Sequence, residues 1–212
     1  MAGQVAQGLL AVWTDIAPEA EREFNEWYNT EHIPELLGVP GFLSGRRYQA
    51  AEGEPRYLAL YELTNVEVLK SDAFRRVREL PTEWSKKIIP LFRNTTIGMY
   101  RQLFTCNNYP IQEANHVLTV RLGVPADKED DFNQWYNIDH VPALVGVPGV
   151  RGARRYQSVE GDPKYLAVYE MDDAGIPKGA AWDKARNTEW TGRMRPHLKD
   201  IKAIMSKRIY PE

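Results

Sequence analysis

Residues 24–62 read FNEWYNTEHIPELLGVPGFLSGRRYQAAEGEPRYLALYE, and residues 132–170 read FNQWYNIDHVPALVGVPGVRGARRYQSVEGDPKYLAVYE. The two stretches align without a gap and are identical at 24 of 39 positions. A repeat of about a hundred residues is too long for a solenoid unit and is typical of a duplicated domain. The sequence therefore predicts two copies of one domain, and the residues that both copies keep become candidates for structure or function.

Composition excludes several classes of protein. The chain has 212 residues, 43% of them hydrophobic and 26% charged, which is enough for one large or two small domains with a packed core. The net charge of −2 and the scattered Lys and Arg residues argue against a nucleic-acid or anionic-membrane partner. Cys106 is the only cysteine, so no intrachain disulfide or cysteine metal cluster is expected. Because no signal peptide or membrane-length apolar run stands out, we expect a cytoplasmic location.

The first part of each copy predicts a strand followed by a helix. Apolar residues alternate over 10–13, as in a strand with one apolar face. Aromatic residues at helical spacing, without Gly or Pro, predict a helix over 19–32 that recurs over 127–140. Pro34 disfavours the α conformation at the residue before it, so the helix is expected to end or kink beside His32.

The rest of each copy predicts two hairpin strands, a second helical region and a fourth strand. In the first copy these elements are expected near 42–49, 56–63, 66–92 with a break at Pro81, and 95–104. In the second copy the last helix and strand are expected over 183–199 and 202–209. The predicted domains are residues 1–105, a linker over 106–115, and residues 116–212.

Each copy is therefore a β-α-β-β-α-β, or ferredoxin-like, unit. Such a unit covers one face of its sheet with helices and leaves the other face bare. Two units in one chain can bury their bare faces against each other. We therefore predict an α+β fold in which two fused repeats face each other and form a dimeric α/β barrel around a cavity.

The repeated pattern F-x-x-W-Y-N-x-x-H-x-P, followed by V-P-G and R-R-Y, resembles the dimeric α/β-barrel superfamily, most closely its EthD-like branch. The resemblance spans nearly the whole chain as two fused protomers. It implies the fold, but the superfamily is functionally broad. It includes cofactor-free monooxygenases, muconolactone isomerases, polyketide cyclases, haem enzymes and proteins with no known activity. The residues that carry the match are Phe24, Trp27, Tyr28, Asn29, His32, Pro34, Pro40 and Gly41, with Phe132, Trp135, Tyr136, Asn137, His140, Pro142, Pro148 and Gly149 in the second copy.

His32 and His140 are the leading candidates for chemistry. Each follows a tyrosine, Tyr28 or Tyr136, by four residues, so the two side chains share one helical face. Imidazole titrates near neutral pH, which suits acid–base catalysis, and the resemblance implies that the histidine borders the cavity. The alternative is a histidine that caps a helix end by hydrogen bonding a free carbonyl. We predict these two histidines and two tyrosines as catalytic residues.

Alternation on strand three assigns its faces. Leu58 and Leu60 suit the helix-covered core, so the tyrosines between them are expected to point into the barrel. Tyrosine hydroxyls around an aromatic cavity would suit a planar, oxygenated ligand. The alternative is aromatic filling that packs the sheets together. The predicted cavity tyrosines are Tyr57, Tyr61, Tyr165 and Tyr169.

The arginine pairs at 46–47 and 154–155 lie on strand two, where consecutive residues face opposite sides. One arginine of each pair could bind a substrate carboxylate or enolate, and the sequence does not tell which. The alternative is an ion pair with Glu62 or Glu170. Strand one differs between the copies at positions 13 and 121, which predicts that the two halves of the cavity are not the same. The remaining substrate-binding candidates are Arg46, Arg154, Asn29, Asn137, Trp13 and Arg121.

The leading functional hypothesis is an enzyme that needs no cofactor and uses His/Tyr acid–base chemistry on a small aromatic, lactone or polyketide-like compound. Isomerisation, dehydration, cyclisation or another lyase step, for example in aromatic catabolism, would fit. One alternative is a cofactor-free monooxygenase, and another is a non-catalytic small-molecule binding protein. By superfamily analogy a haem enzyme with His197 as ligand is a further option. No metal site is predicted, and a homodimer remains open.

Overall fold

A computed structural model describes residues 5–107 and 114–211. Of the predicted linker over 106–115, residues 108–113 lie outside the described residues. The chain divides into two compact units, residues 1–101 with 209–212 and residues 102–208. The predicted domain limits at 105 and 116 stay predictions. In the structure β4 extends to Cys106, and β5 begins at His116.

The two units repeat one order of elements, β-α-β-β-α-β, and each predicted helix and strand is present. The first unit contains β1 (Gly8–Ile16), α1 (Glu21–Trp27), a π-helical turn (Tyr28–His32), α2 (Ile33–Leu37), β2 (Phe42–Ala50), β3 (Tyr57–Leu63), α3 (Asp72–Glu79), α4 (Glu83–Ile88) and β4 (Phe92–Cys106). The second unit contains β5 (His116–Gly123), α5 (Glu129–Trp135), a π-helical turn (Tyr136–His140), α6 (Val141–Val145), β6 (Val150–Ser158), β7 (Tyr165–Met171), α7 (Ala180–Arg186), α8 (Glu189–Met194) and β8 (Lys199–Tyr210).

Strand pairing is antiparallel within each unit. In the first unit β1 is the central strand, and Leu10 lies opposite Tyr61 on β3 and Met99 on β4. In the second unit Leu118 of β5 lies opposite Tyr169 on β7 and Met205 on β8. Each unit thus combines antiparallel strands with helices, which confirms the predicted α+β fold class.

The helix that carries His32 continues beyond it, so of the predicted end or kink beside His32 the end is excluded. The backbone widens into a π-helical turn, in which the N–H of Ile33 donates to the carbonyl of Tyr28. Ile33 keeps α-helical angles, and α2 continues with Pro34 in its first turn, where the missing N–H is tolerated. Val141 bonds to Tyr136 in the same way in the second unit. Single π-helical turns inside helices frequently occur at functional sites.

The predicted facing of strand three is also wrong. Tyr57 and Tyr61 lie on the helix-covered face, packed into the core with α1 and α2. Leu58 and Leu60 alternate with them on the opposite face of the sheet and are buried as well. Gly45 makes room on β2, because the Tyr61 ring lies 3.1 Å from where a Cβ atom would be. In the second unit Tyr165 and Tyr169 likewise belong to the helix-covered core.

Candidate functional site

Each π-helical turn lies within a cluster of aromatic and polar side chains. The His32 cluster consists of Trp27, Tyr28, Asn29, His32, Glu35 and Arg47. The His140 cluster consists of Trp135, Tyr136, Asn137, His140, Ala143 and Arg155, which occupy the equivalent positions.

A buried arginine from β2 holds the first π-helical turn in place. Only 1% of Arg47 is exposed. Its guanidinium donates to Asn29 Oδ1 at 2.7 Å and to Asn25 Oδ1 at 2.6 Å. The same group lies 4.4 Å from the centre of the Tyr28 ring, a cation–π arrangement. Amide oxygens and an aromatic face therefore replace the water that the buried cation has lost.

In the second unit Arg155 holds the π-helical turn through the same set of contacts. Arg155 donates to Asn137 Oδ1 at 2.5 Å and to Asn133 Oδ1 at 2.9 Å, and it lies 4.2 Å from the centre of the Tyr136 ring. Much of the repeated F-N-x-W-Y-N and R-R-Y pattern is therefore explained by this structural contact. The sequence analysis did not single out Asn25 or Asn133. Their signal was the identical spacing of two asparagines, four residues apart, in both copies.

Burial controls the tyrosine hydroxyls near the arginine. It raises the pKa of Tyr28, and it raises the pKa of Tyr61 well above the ordinary value, with Tyr28 as a second cause. The pKa of Tyr136 and that of Tyr169 are raised in the same way. These hydroxyls therefore keep their protons at neutral pH. The predicted catalytic and substrate-binding roles of these tyrosines stay predictions.

The His32 imidazole is held by stacking but remains reachable. Its ring lies 4.5 Å from that of Trp27, nearly parallel, and meets the Tyr28 ring edge-on. Nδ1 lies 3.8 Å from Glu35 Oε2, and 20% of the imidazole side chain is exposed. The ring is therefore oriented by two aromatic neighbours and lies beside one carboxylate.

His140 has the same stacking but a different electrostatic environment. Its ring lies 4.5 Å from that of Trp135. Burial lowers its pKa from 6.5 to about 4; Asp139 opposes this shift, and Arg155 and Arg195 add to it. Ala143 stands where the first unit has Glu35. The His140 imidazole is therefore neutral at physiological pH.

A carboxylate next to each histidine joins the π-helical turn to the second helical region. Thr82 Oγ1 donates to Glu31 Oε1 at 2.5 Å, and the Trp27 indole donates to the same oxygen at 3.1 Å. In the second unit Thr188 Oγ1 donates to Asp139 Oδ2 at 2.5 Å. The carboxylate is therefore engaged by the cap of α4 or α8.

The other predicted binding residues lie on the opposite face of the sheets. Arg46 forms an ion pair with Glu62 at 3.1 Å, and Arg154 forms one with Glu170. The structural alternative given above for the arginine pairs is thus present. Trp13 and Arg121 are also buried on this face. The predicted site residues therefore divide between the two faces of the sheets. The histidines, asparagines and tyrosines lie on the helix-covered face, and Trp13, Arg46, Arg121 and Arg154 lie on the opposite face.

The first unit also contains a cavity that the sequence analysis missed. It has a volume of about 310 Å³ beside α3, with an apolar floor that includes Phe74 and a rim that includes Arg75 and Arg78. In the second unit the larger Trp182 replaces Phe74, and Asp183 replaces Arg75. No sequence motif indicates this cavity, because its walls form only when neighbouring helical turns pack together.

Metal or haem binding would depend on how the histidines and carboxylates of the described residues are placed. No group of three or more His, Cys, Asp or Glu side chains in this part of the chain could hold a metal ion. His116 Nδ1 lies 3.1 Å from the Asp172 carbonyl oxygen, and His197 lies on a short turn before β8. The cavity beside α3 has no histidine in its lining. Among the described residues, no helix combines the length and apolar character needed to cross a bilayer.

Comparison with known proteins supports the fold. Residues 7–108 match the family model described as a domain of unknown function, DUF4286. No curated protein sequence matches the chain.

Solved structures resemble the chain over nearly its whole length. An anthrone oxidase-like protein is 13% identical, with 99% of this chain and 94% of that chain covered and a TM-score of 0.69. A candidate monooxygenase from Fusobacterium nucleatum is 11% identical, with 96% and 93% covered and a TM-score of 0.64. A haem-binding protein from Thermus thermophilus is 12% identical, with 96% and 91% covered and a TM-score of 0.57. At these identities the likeness shows the fold alone.

Proposed function

We propose that the protein is a small-molecule enzyme that removes a proton from an electron-rich aromatic or lactone-like compound, with a histidine of the π-helical turns as the base. The observation that carries this proposal is the His32 imidazole, stacked on Trp27 and still 20% exposed. A base must be oriented and must also be reachable by its substrate.

The surrounding residues support the base in defined ways. Stacking on Trp27 and edge contact with Tyr28 fix the plane of the imidazole, which reduces the cost of orienting it during reaction. Arg47 keeps Tyr28 and Asn29 in place from below the turn. In this account Tyr28 and Tyr136 orient the histidines, and their raised pKa values make them unsuitable as bases.

Proton removal leaves an enolate or phenolate, which can follow two routes. It can be reprotonated or can expel a leaving group, which gives an isomerase or lyase. It can also react with molecular oxygen, which gives an oxidase or monooxygenase. The printed names of the anthrone oxidase-like protein and the candidate monooxygenase favour the oxygen route as the second candidate function.

A panel of phenols, lactones and anthrone-type compounds tests the proposal, with product analysis and oxygen consumption followed in parallel. Wild type is compared with His32→Ala/His140→Ala and with a control, His116→Ala, which changes a histidine outside both clusters. We expect turnover of at least one compound, loss of it in the double variant, and wild-type turnover in the control. Oxygen uptake matched to product identifies the oxygen route.

The contrary result is binding without turnover. If a compound raises the melting temperature of both wild type and the double variant, and no product forms, the protein is a small-molecule binding protein. In that case the two histidines serve as structural parts of the helix.

A further inference from the structure

The two histidine clusters differ at one position that touches the imidazole. Glu35 lies one turn after His32 on α2, and its Oε2 is 3.8 Å from Nδ1. The equivalent residue of the second unit is Ala143, which has no carboxylate. The stacking tryptophan, the tyrosine, the asparagine and the arginine are the same in both clusters.

The other charged residues near the two imidazoles do not cancel the difference between Glu35 and Ala143. Glu31 and Asp139 are each engaged by a threonine hydroxyl of the second helical region. Arg47 and Arg155 occupy equivalent positions beneath the two turns. The turn before β8 adds Arg195 on the second side, where the first unit has Ile89. His32 therefore has the Glu35 carboxylate one turn after it, whereas His140 has no carboxylate at that position and has Arg195 nearby in addition to Asp139 and Arg155.

We propose that Glu35 is the positioning residue that makes His32 the working base, and that His140 no longer transfers protons. This inference rests on the proposed function and assigns that function to one of the two copies. It agrees with the difference between Trp13 and Arg121, which had indicated from sequence that the two halves are not equal.

The chemistry follows from which nitrogen faces the carboxylate. Nδ1 is the ring nitrogen that lies 3.8 Å from Glu35 Oε2, so a proton on Nδ1 lies beside the carboxylate and Nε2 is left as the acceptor. The substrate proton moves to Nε2, and its bonding electron pair stays on the substrate as an enolate or phenolate. The imidazolium that forms lies beside the Glu35 carboxylate, whereas at His140 burial opposes the charge most strongly, Arg155 and Arg195 add to this, and only Asp139 favours it. The 3.8 Å separation suits an ion pair that tightens when the charge appears.

Histidine titration by NMR tests the inference without a substrate. Protein labelled at histidine is titrated as wild type, Glu35→Gln and Ala143→Glu, with signals assigned from His32→Asn and His140→Asn. We expect Ala143→Glu, which places a carboxylate one turn after His140 as Glu35 is placed after His32, to raise the pKa of His140 from about 4 by about one unit. We expect Glu35→Gln to leave the His140 titration unchanged.

A His140 titration that is the same in wild type and Ala143→Glu would overturn the inference, because a carboxylate at this position would then not act on the imidazole. With a substrate from the panel above, Glu35→Gln should lower kcat and leave KM nearly unchanged. If turnover needs His32 but not Glu35, the inference fails and the proposed function stands. If turnover survives loss of both histidines, the proposed function itself fails.

Discussion

The guanidinium of Arg47 lies 4.4 Å from the centre of the Tyr28 ring, deep under the π-helical turn. Arg155 and Tyr136 repeat this contact at 4.2 Å. Each arginine also donates hydrogen bonds to two asparagine side-chain oxygens of the helix above it. The contact thus joins β2 to the helix that carries His32 in the first unit, and β6 to the helix that carries His140 in the second unit.

Replacement of Arg47 by Met is expected to destabilise the protein by about 3 kcal/mol, because two half-buried asparagines lose the donor to their side-chain oxygens and the Tyr28 ring loses its buried cation. The free energy of unfolding in urea measures the effect. The matched control is Arg56→Met, since Arg56 is 47% exposed and its ion pair with Glu21 should contribute less than about 1 kcal/mol. Equal losses of unfolding free energy in the two variants would contradict the structural role given to Arg47.

Thr82→Ala is expected to cost about 1–2 kcal/mol. Thr82 caps α4 by accepting from the N–H of Ser85 at 3.0 Å, and its hydroxyl also donates to Glu31. Thr82→Ser keeps the hydroxyl and should restore most of the stability. Thermal and urea unfolding of the two variants check this, and a loss that serine does not rescue would point to the methyl group instead.

Two glycines should respond to alanine in opposite directions. At Gly8 a Cβ atom would lie 2.8 Å from the backbone carbon of Asn65, so we expect Gly8→Ala to destabilise by about 1–3 kcal/mol. At Gly192, inside α8, nothing lies within 4 Å of the added atom, and Gly192→Ala should stabilise by about 1 kcal/mol through helix propensity. Unfolding midpoints of the two variants measure both effects, and a stabilising Gly8→Ala would show that the strand is less tightly packed there.

His140 should make stability depend on pH. Its pKa of about 4 in the folded protein is below the ordinary value of 6.5, so the unfolded chain binds the proton more readily. The contribution is complete above pH 6.5 and is lost as the pH falls toward 4, on the order of 3 kcal/mol in all. Unfolding of wild type and His140→Gln between pH 7 and pH 4 isolates it. If both lose stability in parallel, His140 is not the group responsible.

Much of the fold could be predicted from the repeat alone. The helix over 19–32, the hairpin strands and the break at Pro81 correspond to α1 with its π-helical turn, to β2 and β3, and to the gap between α3 and α4. Local periodicity and turn residues determine these elements.

The facing of strand three could not be predicted in the same way. Tyr61 and Leu60 are both fully buried, so an apolar pattern does not tell which of them meets the helices. Gly45, across from Tyr61, provides the space for the ring, and this information depends on strand register. The sequence also could not show which of Arg46 and Arg47 faces the helices, because this depends on strand register. Arg47 lies under the helices, and Arg46 pairs with Glu62. The difference between Glu35 and Ala143 was visible in the sequence, but its meaning depends on the 3.8 Å distance to His32.

Deuterium exchange tests the central claim, that His32 removes a proton, most directly. Small lactones and anthrone-type compounds, which carry an acidic C–H, are incubated with the protein in D2O, and the signal of that C–H is followed by proton NMR. The account predicts that wild type accelerates exchange of at least one compound and that His32→Ala reduces the rate by about 100-fold or more. Exchange at the wild-type rate in His32→Ala/His140→Ala would contradict it and would leave both histidines as structural residues.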